Sequence, residues 1–148
     1  MIGYQVIGIP KGSPRPRAVR VGSFSRVYVP PVADDWKACV RAAVRVCGDP
    51  PMLEGPSRLT IEYHMPRPKS AKKSATWHTT KPDLDNADKA TMDALTQAGV
   101  WHDDKQVCDK RTTKKYAEPG GAVGAFIGVE QIAAAVSSRT PSDSRSDP

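Results

Sequence analysis

In residues 57–65, SRLTIEYHM, polar and apolar side chains alternate from Arg58 onward, and the run lies between the breakers GDPPMLEGP and PRP. Alternation at period two places Leu59, Ile61, Tyr63 and Met65 on one face, which predicts a strand with one side against the core. Two stretches have the spacing to cover that side. From Asp34 or Asp35 to Cys47, the residues Trp36, Val40, Ala43, Val44 and Cys47 recur at helical intervals, with an Asp expected at the N-cap. From 86 to 98, Ala87, Ala90, Thr91, Ala94, Leu95 and Ala98 form a second helical stripe, and Gly99 stands where a C-terminal cap belongs.

The remaining segments complete an α+β pattern. A strand is expected from Tyr4 to Ile9, then a Gly/Pro/Arg-rich connection, KGSPRPRAVRVGS, then a strand from Phe24 to Val29 ended by two prolines. After the second helix, Gln106 to Tyr116 and Ala122 to Ile132 read as two strands joined at AEPGGA, a hairpin by its glycines. The final VSSRTPSDSRSDP has no apolar periodicity and is expected to be disordered. The order is ββαβαββ: one domain over residues 1–134, a mixed β-sheet with two main helices packed against it, and a tail over 135–148.

A chain of 148 residues, 39% hydrophobic and 26% charged, can bury a core without disulfides or a structural metal. No apolar run is long enough to cross a bilayer, and Met1 opens into a strand-like segment rather than a signal peptide, so a cytoplasmic location without membrane contact is expected. Cys39, Cys47 and Cys108 form no CxxC pair, and helix holds the first two ~12 Å apart, so each is expected to be a buried, reduced thiol.

Charge is unevenly distributed. The net +6 combines −5 between Asp83 and Asp109 with +11 elsewhere. No acid precedes Asp34, whereas Lys11, Arg15, Arg17, Arg20 and Arg26 crowd the first strands; Arg67, Lys69, Lys72, Lys73 and Lys81 form a second acid-free run. Basic arms around an acidic centre suit a polyanionic partner. The alternative is a solvated basic surface.

The acidic centre is KPDLDNADKATMDALTQAGVWHDD, residues 81–104. In an extended PDLD the side chains of Asp83 and Asp85 point the same way at the mouth of the helix, and either Asp85 or Asn86 can cap it. Helix 86–98 carries the chain ~20 Å away, and five extended residues recover at most ~17 Å. A reversal at Gly99 then returns Asp103 or Asp104 towards Asp83 and Asp85. Carboxylates so grouped repel unless a cation neutralises them, and all-oxygen ligands select Mg²⁺ or Mn²⁺. Lys89, one turn beyond Asp85, either offsets charge on a phosphate or belongs to a surface ladder of Asp85, Lys89 and Asp93.

The run KPDLDNADKATMDALTQAGVWHDDKQV resembles the signature of RusA-type Holliday junction resolvases, endodeoxyribonucleases of bacteria and their phages. The likeness combines PDxDN, a Lys four residues after the second Asp, DAL, a Gly before a hydrophobic and an aromatic residue, and DD followed by Q and a hydrophobe. It extends more loosely through HMPRPKS, IPKGSPRPR and KKYAEPGG, covering most of the chain except the tail. The resemblance implies that Asp83, Asp85 and Asp104 are the metal-binding catalytic acids and Lys89 the essential lysine, with Asp103 an accessory ligand or structural neighbour and no catalytic role for His102. It also implies Mg²⁺ dependence, a symmetric homodimer and a four-way DNA junction as substrate.

On this reading Lys11, Arg15, Arg17, Arg20, Lys69, Lys72 and Lys73 neutralise phosphates without reading bases. Trp77 and Phe24 are either stacking or wedge residues near the branch point or parts of the core or of an interface. Two other classes compete. A DxD pair also holds Mn²⁺ in nucleotide-sugar glycosyltransferases, which need a nucleotide-binding domain that 148 residues scarcely accommodate. A non-catalytic DNA-binding protein would use its Asp residues only as helix caps and surface acids.

Overall fold

The structure, a computed structural model, describes residues 1–14, 17–28 and 32–133, mainly as backbone within 17–28. The expected tail lies outside the described residues. In chain order the elements are β1 (Ile2–Ile7), β2 (Arg17–Val21), β3 (Phe24–Tyr28), α1 (Asp34–Val46), β4 (Ser57–Met65), α2 (Leu84–Gln97), a 3₁₀ turn (Asp104–Gln106), β5 (Val107–Tyr116) and β6 (Gly124–Gln131). The α+β class and the mixed sheet are as expected. One strand more is present: β2 lies within the Gly/Pro/Arg-rich connection and pairs with β3 as a separate two-stranded antiparallel hairpin.

The main sheet has the order β1-β6-β4-β5. The alternating β4 is central, antiparallel to β6 and parallel to β5. The hairpin expected between β5 and β6 is therefore not formed. Their connection crosses β4, and its glycines mark a turn without making its flanks neighbours. Parallel neighbours need a long crossover, and α2 supplies it between β4 and β5. In such a unit the helix starts near the C-terminal ends of the strands it joins, which is where this sheet meets its acidic motif.

One face of the sheet is covered. Leu59, Ile61, Tyr63 and Met65 of β4, Tyr4 and Val6 of β1, and Ile127 and Val129 of β6 pack beneath Trp36, Val40 and Val44 of α1 and Ala87, Ala90, Ala94 and Leu95 of α2. Each large side chain so buried contributes about 1.5–3 kcal/mol. The small residues of α2 let it lie close to the sheet, while Gly99, at φ +88°, supplies the left-handed turn that ends it. Helix starts differ from expectation. Ala33, not an Asp, is the N-cap residue of α1, with Asp34 and Asp35 in its first turn, and α2 begins at Leu84, two residues before the expected start at 86.

A polar network lies inside this core. The Trp36 indole N–H donates to Thr91 Oγ1 at 3.0 Å, Thr91 Oγ1 lies 3.0 Å from the Tyr63 hydroxyl, and that hydroxyl donates to Asp88 Oδ1 at 2.9 Å. Lys110 Nζ completes the network at 3.0 Å from Asp88 Oδ2. Side chains from α1, α2, β4 and β5 thus fix how α2 sits on the sheet. The thiols are free, but only Cys39 is half-buried; Cys47 and Cys108 are exposed, because one ends α1 and the other lies on edge strand β5.

Candidate active site

Asp83 is the N-cap residue of α2, with extended backbone at φ −67° and ψ 150°, and its side chain makes no capping hydrogen bond. Asp85 follows in the first turn, and both are exposed. Neither Asp85 nor Asn86 is the cap. A carboxylate at a helix entrance ordinarily accepts a backbone N–H; Asp83 leaves its oxygens uncommitted at the end of α2 where the helix dipole is positive.

Lys89 is exposed one turn further on and makes no ion pair among the described residues. Asp93 is instead held by Lys37 of α1 at 2.6 Å. The ladder Asp85–Lys89–Asp93 is not formed.

The approach to Asp83 is a strap laid along β5. Tyr116 N–H donates to Thr76 O at 2.8 Å and His78 N–H to Lys114 O at 3.3 Å. The ring of His78 is buried edge-on against Tyr116, with Nε2 3.1 Å from Thr80 Oγ1 and Nδ1 lacking a partner. Burial, and then the charge of Lys114, hold this imidazole below its ordinary pKa. Lys114 Nζ donates to the carbonyls of Thr80 and Pro82, both at 2.6 Å. Burial lowers the pKa of Lys114, and the charge of Asp83 opposes that shift.

On the opposite side, the connection after β1 docks on the start of α2 through a 3.0 Å bond from Ser13 N–H to Asn86 O. Gly12 is required there, since a Cβ would meet Asn86 Cβ at 2.8 Å and Pro82 Cβ at 3.1 Å. A cleft of ≈ 760 Å³ opens between this connection and α2, with Lys11, Lys81, Asp83 and Asn86 on its lining.

Asp104 is delivered by a separate pass of the chain. After Gly99, Val100 and Trp101 are buried, and Trp101 bridges to Leu53, so the returning chain is committed to the core. Asp104 emerges close enough to Asp103 and Asp93 for their charges to act on it; burial first, then Asp103 and Asp93, raise its pKa. Asp93 is ~12 Å of helix beyond Asp85. Among the described residues, no three His, Cys, Asp or Glu side chains are grouped so as to hold a metal ion. Asp103 has a structural role, since its Oδ1 accepts Lys105 N–H at 2.9 Å and it forms a capping box with Gln106. That backbone bond holds its carboxyl below the usual range. His102 pairs with Glu54.

The basic residues occupy several surfaces. Lys69, Lys72, Lys73 and Arg20 are exposed, while Lys11 is half-buried, 3.9 Å from Asp35. Arg15 and the side chains of Arg17 and Phe24 lie outside the described residues. Arg67 organises the loop after β4, donating to the carbonyls of Lys72, Ala75 and Ala117 at 2.7–3.3 Å and stacking 5.1 Å from the Tyr116 ring. Trp77 is 60% exposed, with Lys115 Nζ 5.5 Å from its ring, so it is not part of the core.

The profile of the family Endodeoxyribonuclease RusA matches residues 8–124, which take in the acidic motif, Lys89, Asp104 and β5. The chain belongs to this family. It is 42% identical over 69 residues to the crossover junction endodeoxyribonuclease RusA of Enterobacteria phage 82, a match covering 47% of this chain and 48% of that protein. The same values hold for the crossover junction endodeoxyribonuclease RusA of Escherichia coli strain K12. The chain spans about half the length of the curated relatives it matches.

For a RusA-family chain, the donor set at the start of α2 fits a hard divalent cation. Mg²⁺ is commonly held by one or two carboxylates together with water and substrate phosphate, and Asp83 and Asp85 are exposed and uncapped. Two residues of this region escape a reading of the sequence. Asp88 is buried although it is no part of the apolar stripe, and Lys114 stands on β5, outside the acidic motif. The signal for Lys114 was alternation along β5, legible only once β5 is known to lie beside β4 and under α2.

Proposed function

We propose that this chain is a structure-specific, Mg²⁺-dependent endodeoxyribonuclease that resolves four-way DNA junctions by paired nicks in recombination and repair. The observation carrying this reading is that Asp83 occupies the N-cap of α2 without capping it, with Asp85 exposed beside it. In the rival, these acids serve only as helix caps and surface acids; the missing cap bond of Asp83 speaks against the first of those roles, and the cleavage assay below separates the second from catalysis. Family membership and the activity for which the relatives are named support the same reaction.

Asp83, Asp85 and Asp104 are the proposed ligands of Mg²⁺, with Mn²⁺ as a substitute. Asp83 and Asp85 stand together at the start of α2, and Asp104 would have to close on them when ion and substrate phosphate bind, since the three are not grouped among the described residues. The ion would supply Lewis acidity at the phosphate and an activated water. Lys89 faces the same end of α2 and offsets charge that builds on the phosphate in the transition state. The backbone N–H groups of the first turn favour an anion there. Hydrolysis consumes one water and leaves a 5′-phosphate and a 3′-hydroxyl. Lys11, Arg15, Arg17, Arg20, Lys69, Lys72 and Lys73 contact phosphates over a wide surface, which recognises branching rather than sequence. A two-fold homodimer matches the approximate two-fold symmetry of a junction and places one site on each of two opposed strands. The proposed location is the cytoplasm, where bacterial and phage DNA recombine.

The test is cleavage of an end-labelled four-way junction and of its component duplex, with Mg²⁺, Mn²⁺ or chelator. Symmetric nicks in the junction alone, only with metal, support the proposal. Tight junction binding with no cleavage in either metal supports the non-catalytic rival.

A further inference from the structure

We propose that Lys114 is a positioning residue for the Asp83–Asp85 pair, acting through the backbone that delivers those acids to the start of α2. The proposal rests on the metal-site reading above. Lys114 is no part of the acidic signature, standing thirty-one positions beyond Asp83 and on another element.

The register of β5 decides which way its lysines point. Lys114 is paired with Tyr63 and Lys110 with Leu59, both of which face the core, so these two lysines project from the helix-covered side of the sheet. Each then finds a different anchor. Lys110 reaches the buried Asp88, whereas Lys114 reaches the carbonyls of Thr80 and Pro82, which flank Lys81 and immediately precede Asp83. Two charge-assisted bonds of 2.6 Å from one ammonium fix both carbonyls relative to the sheet.

Little else holds that segment. Backbone bonds tie the strap to β5 at Thr76 and His78, and the next anchored backbone is Asp83, whose carbonyl accepts Ala87 N–H at 3.0 Å. Between them, among the described residues, only Lys114 makes hydrogen bonds to the backbone of 79–82. The Pro82 ring also lies close to the connection at Gly12. Lys114 therefore sets where the helix entrance lies over β5, and with it where Asp83 stands relative to Asp85. Its positive charge also lies close enough to act on Asp83, easing the repulsion between two carboxylates that await a cation. Groups that orient metal-binding carboxylates typically matter by about 10–100-fold in metal affinity or activity.

The full chain is compared with Lys114→Met and Lys114→Arg. Lys114→Met keeps the aliphatic stem and removes both bonds; Lys114→Arg keeps the charge but replaces a compact ammonium with a planar fork. The measurements are Mn²⁺ binding followed by electron paramagnetic resonance, hydrogen exchange of peptides covering 76–87, junction binding in chelator, and cleavage. In Lys114→Met we expect Mn²⁺ affinity to fall by about tenfold or more. Exchange should rise within 79–84 but not in α1, junction affinity should stay within about twofold, and cleavage should be restored in part by raising the metal concentration. Lys114→Arg should lie between the two, and it carries the test if the methionine variant is unstable. A folded Lys114→Met chain with wild-type Mn²⁺ affinity and wild-type exchange at 79–84 overturns the positioning role. So does a cleavage loss explained wholly by weaker junction binding, which would make Lys114 a DNA-binding residue. A wild-type chain that neither binds Mn²⁺ nor cuts DNA overturns the metal site itself, and the positioning role falls with it.

Discussion

Tyr63 on the central strand donates its phenolic proton to Asp88 of α2 at 2.9 Å, inside a core where both side chains are almost wholly buried. Burial and the neighbouring carboxylate both push the Tyr63 pKa well up, so the phenol remains a donor at every physiological pH. Asp88 lies three residues after Asp85 yet points into the sheet, which makes it an acid of the signature region with a structural role. Asp88→Leu removes the carboxylate shared by the Tyr63 hydroxyl and Lys110 and should cost about 1–3 kcal/mol, seen as a lower Tm. Asp88→Asn retains an acceptor and should cost less. At temperatures where they are folded, both should cleave a junction at near wild-type rate; a selective loss of cleavage in Asp88→Asn would move this acid into the chemistry.

The three proposed metal ligands should separate binding from catalysis. Asp83→Asn, Asp85→Asn and Asp104→Asn should each lower single-turnover cleavage by at least about 10²-fold, the scale of losing one group aimed at the transition state. Junction binding in chelator should be unchanged or tighter, because phosphate repulsion falls. The Asp103–Asp104 pair adds a sign test in stability. The pKa of Asp104 is raised by burial and by its acidic neighbours, so its ionised form disfavours the fold at neutral pH and Asp104→Asn should leave Tm unchanged or higher. Asp103 is held low by its bond to Lys105 N–H, so its stabilisation is present above the ordinary carboxylate pKa and lost as pH falls through the lowered one. Asp103→Ala should therefore lower Tm at neutral pH, with the difference from wild type vanishing at acid pH.

Much of this architecture is visible in the chain because β4, α1 and α2 each have one periodicity and one buried face, and local pattern reports burial directly. The arrangement of β5 and β6 is not visible, because glycines in AEPGGA specify that the chain turns and not which strand it joins. The same limit applies at the site. Asp83 and Asp85 are two apart in sequence and so are legible together, whereas the placement of Asp104 depends on Val100 and Trp101 being committed to the core before the chain can return. Asp88 shows the converse: a helical stripe read from apolar residues omits a carboxylate that is buried because Tyr63 and Lys110 satisfy it.

The loop after β4 supplies a test of the basic arms. Arg67 holds the carbonyls of Lys72 and Ala75, so Lys69, Lys72 and Lys73 project from a folded loop and are all exposed. Replacing these three lysines with Ala should weaken junction binding and reduce the slope of log K against log salt by about 0.9 for each phosphate no longer neutralised. Arg67→Met, which unfastens the loop without removing an exposed charge, should weaken binding with a smaller change in slope. An unchanged slope in the triple variant removes these lysines from the interface.

Lys89 offers the sharpest separation between chemistry and surface decoration. It is exposed on α2 one turn after Asp85, and with Asp93 held by Lys37 it has no ladder to stabilise. An exposed i, i+4 pair contributes only ~0.3–0.5 kcal/mol even when formed, so Lys89→Ala should leave Tm essentially unchanged. Cleavage should respond very differently. Loss of a cation aimed at the transition-state phosphate should cost on the order of 10²-fold in single-turnover rate at saturating enzyme. Lys89→Arg should not restore the full rate, since a guanidinium is a planar, less compact donor. Junction affinity in chelator should change by no more than the worth of a single phosphate interaction. If Lys89→Ala cleaves within a few-fold of wild type while binding weakens, the lysine touches the DNA backbone and takes no part in the chemical step.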